Sequence, residues 1–167
     1  GNGKKHIVSL AGMLEISHRS PSIDYLDLLK AVQFVTNSDL ELEKAFRLMV
    51  FNVLAHNKDD HSKNFSFIYS DGFWKMTPAY DLTFSSGMNN QHSTAVMGLG
   101  LPNATSIQKV AQTMGIKKSN EITREVYEAV SQWEVIAAEG KVSKKIISDY
   151  KKAIFEGPFF KELRGIF

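Results

Sequence analysis

Residues His56–Leu82 read HNKDDHSKNFSFIYSDGFWKMTPAYDL, and the rest of the chain is organised around this stretch. Asp59 and Asp60 open it, and His61, Lys63 and Asn64 follow within a few positions. Phe65, Phe67 and Tyr69 then alternate with Ser66 and Ile68, so Phe65–Tyr69 reads as a strand. Asp71-Gly72 marks a tight hairpin turn, because these residues accept the positive φ angles that short hairpin loops demand. Phe73–Met76 returns as a second strand, and the loop after it carries Asp81. Two acidic loops joined by one hairpin are predicted to bring Asp59, Asn64 and Asp81 to the same end of it.

These residue types suit the handling of phosphate. A nucleotide's γ-phosphoryl group carries its charge on Mg²⁺, which takes hard oxygen ligands, commonly one or two carboxylates beside the phosphates. Asn64 and Asp81 supply such oxygens. A further acid must orient the attacking hydroxyl and accept its proton, and Asp59 is placed for that. Kinase catalytic loops set their Asp and their metal-binding Asn five positions apart, the spacing of Asp59 and Asn64. The form here is D-x-H-x-x-N, nearer to the lipid-kinase-like variant of the loop.

Together, Asn57–Asn64, Phe65-Ser66-Phe67, the Trp74 strand and Thr77–Leu82 resemble the C-terminal lobe of HipA-like serine/threonine kinases, the toxins of bacterial toxin–antitoxin pairs. The resemblance covers most of the chain, with its specific part in residues 52–83. It implies an ATP-dependent, Mg²⁺-dependent protein kinase acting on a Ser or Thr hydroxyl. It further implies a substrate in translation, typically an aminoacyl-tRNA synthetase, and a HipB-like DNA-binding antitoxin as partner, with DNA reached through it. On this reading Asp59 and His61 are catalytic, Asn64 and Asp81 bind the metal, and Lys63 joins Asn64 and Asp81 in holding the nucleotide. Two alternatives stay open at single residues: His61 as a structural histidine bracing the loop, and Lys63 as a solvated charge.

Composition agrees with an ordinary globular protein. The chain has 167 residues, enough for one domain with a real core, and is 43% hydrophobic and 23% charged. A net charge of +2 is too mild to indicate nucleic-acid binding by itself. The sequence has no cysteine, which excludes disulfides, thiolate metal sites and cysteine nucleophiles. No stretch reads as a signal peptide or a membrane span, so a cytoplasmic bacterial protein is expected, with no membrane partner.

The remaining chain reads mainly as helix. Gly1–His6 looks like a loop or a cut end, and the natural protein is expected to begin upstream. Ser9 is placed to cap a short helix, Leu10–Ile16; Ser20-Pro21 opens a second that runs to about Val35. Ser38-Asp39-Leu40-Glu41 is a capping box for a central buried helix reaching about Ala55. His56 beyond it reads as a helix-end cation. His92–Met97 is read as a short strand, followed by helices at Ile107–Met114, about Asn120–Ala138, and Ser143–Phe155. The aromatic tail Phe159–Phe167 is expected to pack on this domain or on another. The fold class is therefore α+β: a mainly helical, kinase-like C-lobe with a small β-hairpin carrying the catalytic and metal loops. Only 58 residues precede Asp59, and they read as helix, so the chain is expected to be the C-lobe of a larger kinase, without the glycine-rich loop.

Three rival functions are weighed against the protein kinase. One is a non-catalytic binding lobe that holds an antitoxin or DNA. Another is a kinase for a small molecule or lipid headgroup. The last is a metal-dependent phosphohydrolase, which would need a second His-Asp pair; His6, His18 and His92 read as standing apart. Asp60 fits no required type in the loop and is assigned no role.

Overall fold

The first acidic loop leaves the end of a buried helix and enters an antiparallel sheet, and both are explained by local sequence. The computed structural model describes residues 4–14 and 23–167. Strand β1 (His6–Ser9) leads into helix α1 (Leu10–Met13), whose cap is Ser9, with its hydroxyl accepting from Gly12 N. Ser20-Pro21 and Ile16 lie outside the described residues. The next helix, α2 (Tyr25–Thr36), opens at Tyr25, later than its expected start. Asp24 is its N-cap, accepting from Leu26 N at 2.8 Å, and Asn37 ends it in the left-handed region.

Helix α3 (Asp39–Leu54) is the central element expected from its apolar spacing. It buries Leu42, Ala45, Phe46, Met49, Val50, Val53 and Leu54, and it packs against α2 and against α5 (Ser119–Ser131). Ser38 caps it as expected, but the reciprocal half of the capping box is absent. Glu41 instead accepts from Met76 N at 2.9 Å and from Lys44 at 2.6 Å. A buried carboxylate at a helix start thus satisfies the end of the sheet rather than its own cap.

Strands β2 (Ser66–Ser70) and β3 (Phe73–Met76) form the expected hairpin, with Asp71 at φ 57° and Gly72 at φ 86° in its turn. The sheet has three strands rather than two. β1, read from sequence as a loop running into a helix cap, pairs antiparallel with β2, Val8 opposite Phe67 and Ser9 opposite Ser66. Its four residues lack the turn-bounded alternation that marks a strand.

Residues 92–97 are not a strand. They make isolated bridges instead: Tyr25 N donates to Ala95 O, Ala95 N to Ile23 O, and Val96 and Leu99 exchange a pair. Helices α4 (Ala104–Thr113), α6 (Trp133–Glu139), α7 (Lys144–Phe155) and α8 (Pro158–Arg164) complete the fold. The long helix expected from about Asn120 is broken at Gln132 into α5 and α6. Ser131 bonds back to the Tyr127 carbonyl, a contact that bends helices, and Trp133 turns its indole N–H to Ile147 O on α7. The aromatic tail packs on this same domain, burying Phe159, Phe160 and Leu163. The architecture is α+β, with one apolar core joining α2, α3, α5, the sheet and α8. Among the described residues, no helix is long and apolar enough to cross a membrane.

Candidate phosphoryl-transfer site

α3 delivers the chain to the first loop through Ala55 and His56, the latter at φ 54°. Asp59 is exposed. Its carbonyl accepts from Asn64 Nδ2 at 3.0 Å, across a single 3₁₀ turn, Ser62–Asn64, that follows His61. That bond closes the six-residue loop Asp59–Asn64 and commits the amide nitrogen, so Asn64 Oδ1 is the atom left to serve as a ligand. His61 is half-buried; Lys63 is exposed, and its carbonyl holds the second loop.

The link between loops is Tyr80. Its hydroxyl donates to Lys63 O at 2.6 Å and, its one proton thus committed, accepts from the Ser66 hydroxyl at 2.7 Å. Ser85 N donates to His56 O at 2.9 Å on the far side. Asp81 lies between these two tethers, exposed, at φ 55°. The second loop is thereby fixed to the first on both flanks of Asp81.

Sequence reading missed the residue on which the first loop rests. Asp60 is 1% exposed, and four donors fill its carboxylate. Tyr25 OH (2.7 Å) and His92 Nδ1 (2.9 Å) reach Oδ2, while Ser93 N (2.9 Å) and Thr94 N (3.2 Å) reach Oδ1. The Thr94 hydroxyl donates to the Asp60 carbonyl. Because Asp60 is an acceptor here, His92 carries its proton on Nδ1. His92, expected to stand apart, is thus paired, and the 92–94 segment braces the loop instead of forming a strand. The pair is not a hydrolase metal centre, since every lone-pair site of the Asp60 carboxylate is occupied. Among the described residues, no cluster of three or more His, Cys, Asp or Glu could hold a metal. The only signal in the sequence was a second acid beside Asp59, and its partners come from residues far along the chain.

The network continues from Tyr25 to Asn52, whose Nδ2 donates to the Tyr25 oxygen at 2.8 Å, and to Asn57, whose Nδ2 donates to Asn52 Oδ1 at 3.0 Å. Burial, then the Asp60 charge, push the Tyr25 hydroxyl well above the usual tyrosine range, which keeps it a donor. Lys58 is also buried, with its ammonium on Asn90 O (3.1 Å) and Asn90 Oδ1 (2.6 Å); desolvation lowers its pKa. His56 is not the cation expected at a helix end. Burial first, then the charges of Lys58 and His92, lower it to about 4, so it is neutral at pH 7 and stacks on Phe84.

Two side-chain oxygens could serve a hard cation here. Asn64 Oδ1 and the Asp81 carboxylate are oxygens on tethered loops, the number of protein ligands that Mg²⁺ takes when phosphates supply others.

No curated protein matches the chain. A solved structure from Shewanella oneidensis MR-1, the toxin–antitoxin system HipA and HipB with its operator DNA, is similar in fold, with TM-score 0.71 at 18% identity. The match covers 97% of this chain and 46% of that one, so the chain spans about half the length of its structural relative. Residues 2–133 match the family described as HipA-like C-terminal domain. The chain belongs to the HipA-like C-terminal domain family.

Proposed function

We propose that the chain is the catalytic C-terminal lobe of a serine/threonine protein kinase toxin, a larger protein whose other lobe clamps ATP. The observation that carries this reading is the closed Asp59–Asn64 loop tied through Tyr80 to the segment bearing Asp81. Asp59, exposed at the loop's mouth, orients the acceptor hydroxyl and takes its proton. Asn64 Oδ1 and Asp81 hold Mg²⁺, which when bound neutralises charge on the transferring phosphoryl. His61 faces the transferring phosphate, and Lys63 adds positive charge beside the nucleotide. The buried Asp60 cluster keeps the loop from shifting as charge moves. The acceptor is a protein hydroxyl, with an aminoacyl-tRNA synthetase the class that the family resemblance suggests. A HipB-like antitoxin, and DNA through it, are the proposed partners, supported by the assembly in the similar Shewanella structure. The proposed compartment is the cytoplasm.

The test uses the longest natural chain containing these residues, incubated with γ-labelled Mg·ATP and a lysate from its own host. A labelled protein band that needs Mg²⁺ supports the reading. ATP left intact and no label would sink it, in favour of a non-catalytic binding lobe; label on a small molecule or lipid would reassign the acceptor.

A further inference from the structure

Lys58 is 3% exposed, and among the described residues no carboxylate lies within ion-pair distance of its ammonium. Two of its three protons go to neutral oxygens, Asn90 O at 3.1 Å and Asn90 Oδ1 at 2.6 Å, and one is left. A buried charge without a counter-charge is costly, so a group of opposite sign is expected beside it. Lys58 and Asn90 line a cavity of about 130 Å³ between the end of α3, the 88–90 turn and α8. His92 lines it too and is 7% exposed. Its Nδ1 donates to Asp60; its Nε2 then holds a lone pair and has no hydrogen-bond partner among the described residues. Among those residues Asn57 Oδ1 is the one side-chain polar atom both sealed and unpartnered, so His92 Nε2 is open, and this cavity is the space it meets. Burial first, then Lys58 and His92, depress His56, which shares the wall, so the three side chains stand close together.

We propose that this cavity binds one small tetrahedral oxyanion that still carries a proton, with hydrogen phosphate the matching ion. An oxygen of the ion accepts from the free Lys58 proton, and its O–H donates to His92 Nε2. Sulfate has the same shape and charge but no proton to give, so His92 sets the choice between the two. The volume exceeds the roughly 30 Å³ that one water occupies. Apolar side chains such as Phe159 fill the rest of the wall and strengthen the polar contacts by keeping water away. Neither Asn64 nor Asp81 lines this cavity, so it is separate from the candidate metal ligands. Lys58 immediately precedes Asp59, and His92 holds Asp60, so a bound ion stiffens the first loop; that consequence, unlike the binding itself, rests on the kinase reading.

The probe is inorganic phosphate, added to the full natural chain without Mg²⁺ or nucleotide at about pH 8, above the ordinary histidine range. Binding is read from the rise of the thermal midpoint with phosphate concentration and from the imidazole NMR signals of His92. Saturable binding is expected, with sulfate at least about tenfold weaker for want of one hydrogen bond. Lys58→Met removes the charge and should abolish the effect of phosphate, while unfolding no lower than the parent in phosphate-free buffer. Leu101→Glu, at an exposed position of the cavity wall, leaves the interior intact, sets a negative charge against the ion and should weaken binding about tenfold or more. No midpoint rise and no His92 shift at phosphate on the order of 100 mM would overturn the proposal. Sulfate binding as tightly as phosphate would overturn it too, as would binding unchanged in both variants.

Discussion

Asp60 and His92, 32 residues apart, form a buried pair at 2.9 Å beneath the loop that carries Asp59, both side chains all but sealed from solvent. Asp60 accepts from Tyr25 OH, His92 Nδ1 and Ser93 N, and Ser93 N alone of these also reaches a second acceptor, Lys58 O at 3.0 Å. Asp60→Asn places an amide among these donors and leaves at least one unpaired. The expected loss of stability is about 3–5 kcal/mol, read from denaturant midpoints. A loss under about 1 kcal/mol would mean that the cluster does not brace the loop.

Gly87 sits at φ 64°, and a Cβ there would lie 2.1 Å from the Gln91 carbonyl oxygen and 2.8 Å from Lys58 Cβ. Gly87→Ala must therefore move backbone, at a cost of about 2 kcal/mol or more. Thermal unfolding measures it, and an unchanged midpoint would contradict this packing of the 87–91 turn on Lys58.

His56 makes stability depend on pH. Its folded pKa is depressed from 6.5 to about 4, so between those values the unfolded chain binds a proton that the folded chain refuses. Stability contributed at neutral pH is then lost as pH falls from about 6.5 towards 4. Allowing for partial solvent contact, the effect is on the order of 1–2 kcal/mol. His56→Asn, a residue that tolerates positive φ, should flatten this part of the stability–pH curve. A curve unaltered by the substitution would assign the acid sensitivity elsewhere.

Tyr80→Phe removes the hydroxyl bridging Lys63 O and Ser66, at an exposed side chain. The fold should lose about 1 kcal/mol or less. Mg·ATP affinity of the parent protein should fall about tenfold, because Asp81 loses one of its two flanking tethers. Calorimetric titration with Mg·ATP decides this, and unchanged affinity would show that the tether does not position Asp81. Asp81→Ala should abolish Mg²⁺-dependent affinity in the same titration.

How much of this was legible in the sequence follows the range of the interactions. The D-x-H-x-x-N spacing, the Asp71-Gly72 turn and the apolar face of α3 are local patterns; the turn and the helix face appear in the fold as read, and the spacing closes a loop through the Asn64–Asp59 bond. β1 was missed because a four-residue strand is defined by its partner β2 and hardly at all by its own composition. Asp60 was passed over because its donors stand at Tyr25 and at residues 92–94, and no spacing rule connects those positions. His56 was misread because a helix end favours a cation only while it stays solvated, whereas Phe84 covers this ring. Glu41 matched a capping box by spacing, but the nearer claim on its carboxylate came from Met76 on the sheet.

The most direct test of the central claim is single-turnover transfer from γ-labelled Mg·ATP by the parent protein and its Asp59→Asn variant, with Mg·ATP affinity measured on both. The account predicts transfer reduced by about two orders of magnitude or more, with fold and nucleotide affinity kept, because Asp59 acts on the acceptor hydroxyl and its carbonyl bond to Asn64 survives the substitution. Transfer within a few-fold of the parent would place the base elsewhere and contradict the account.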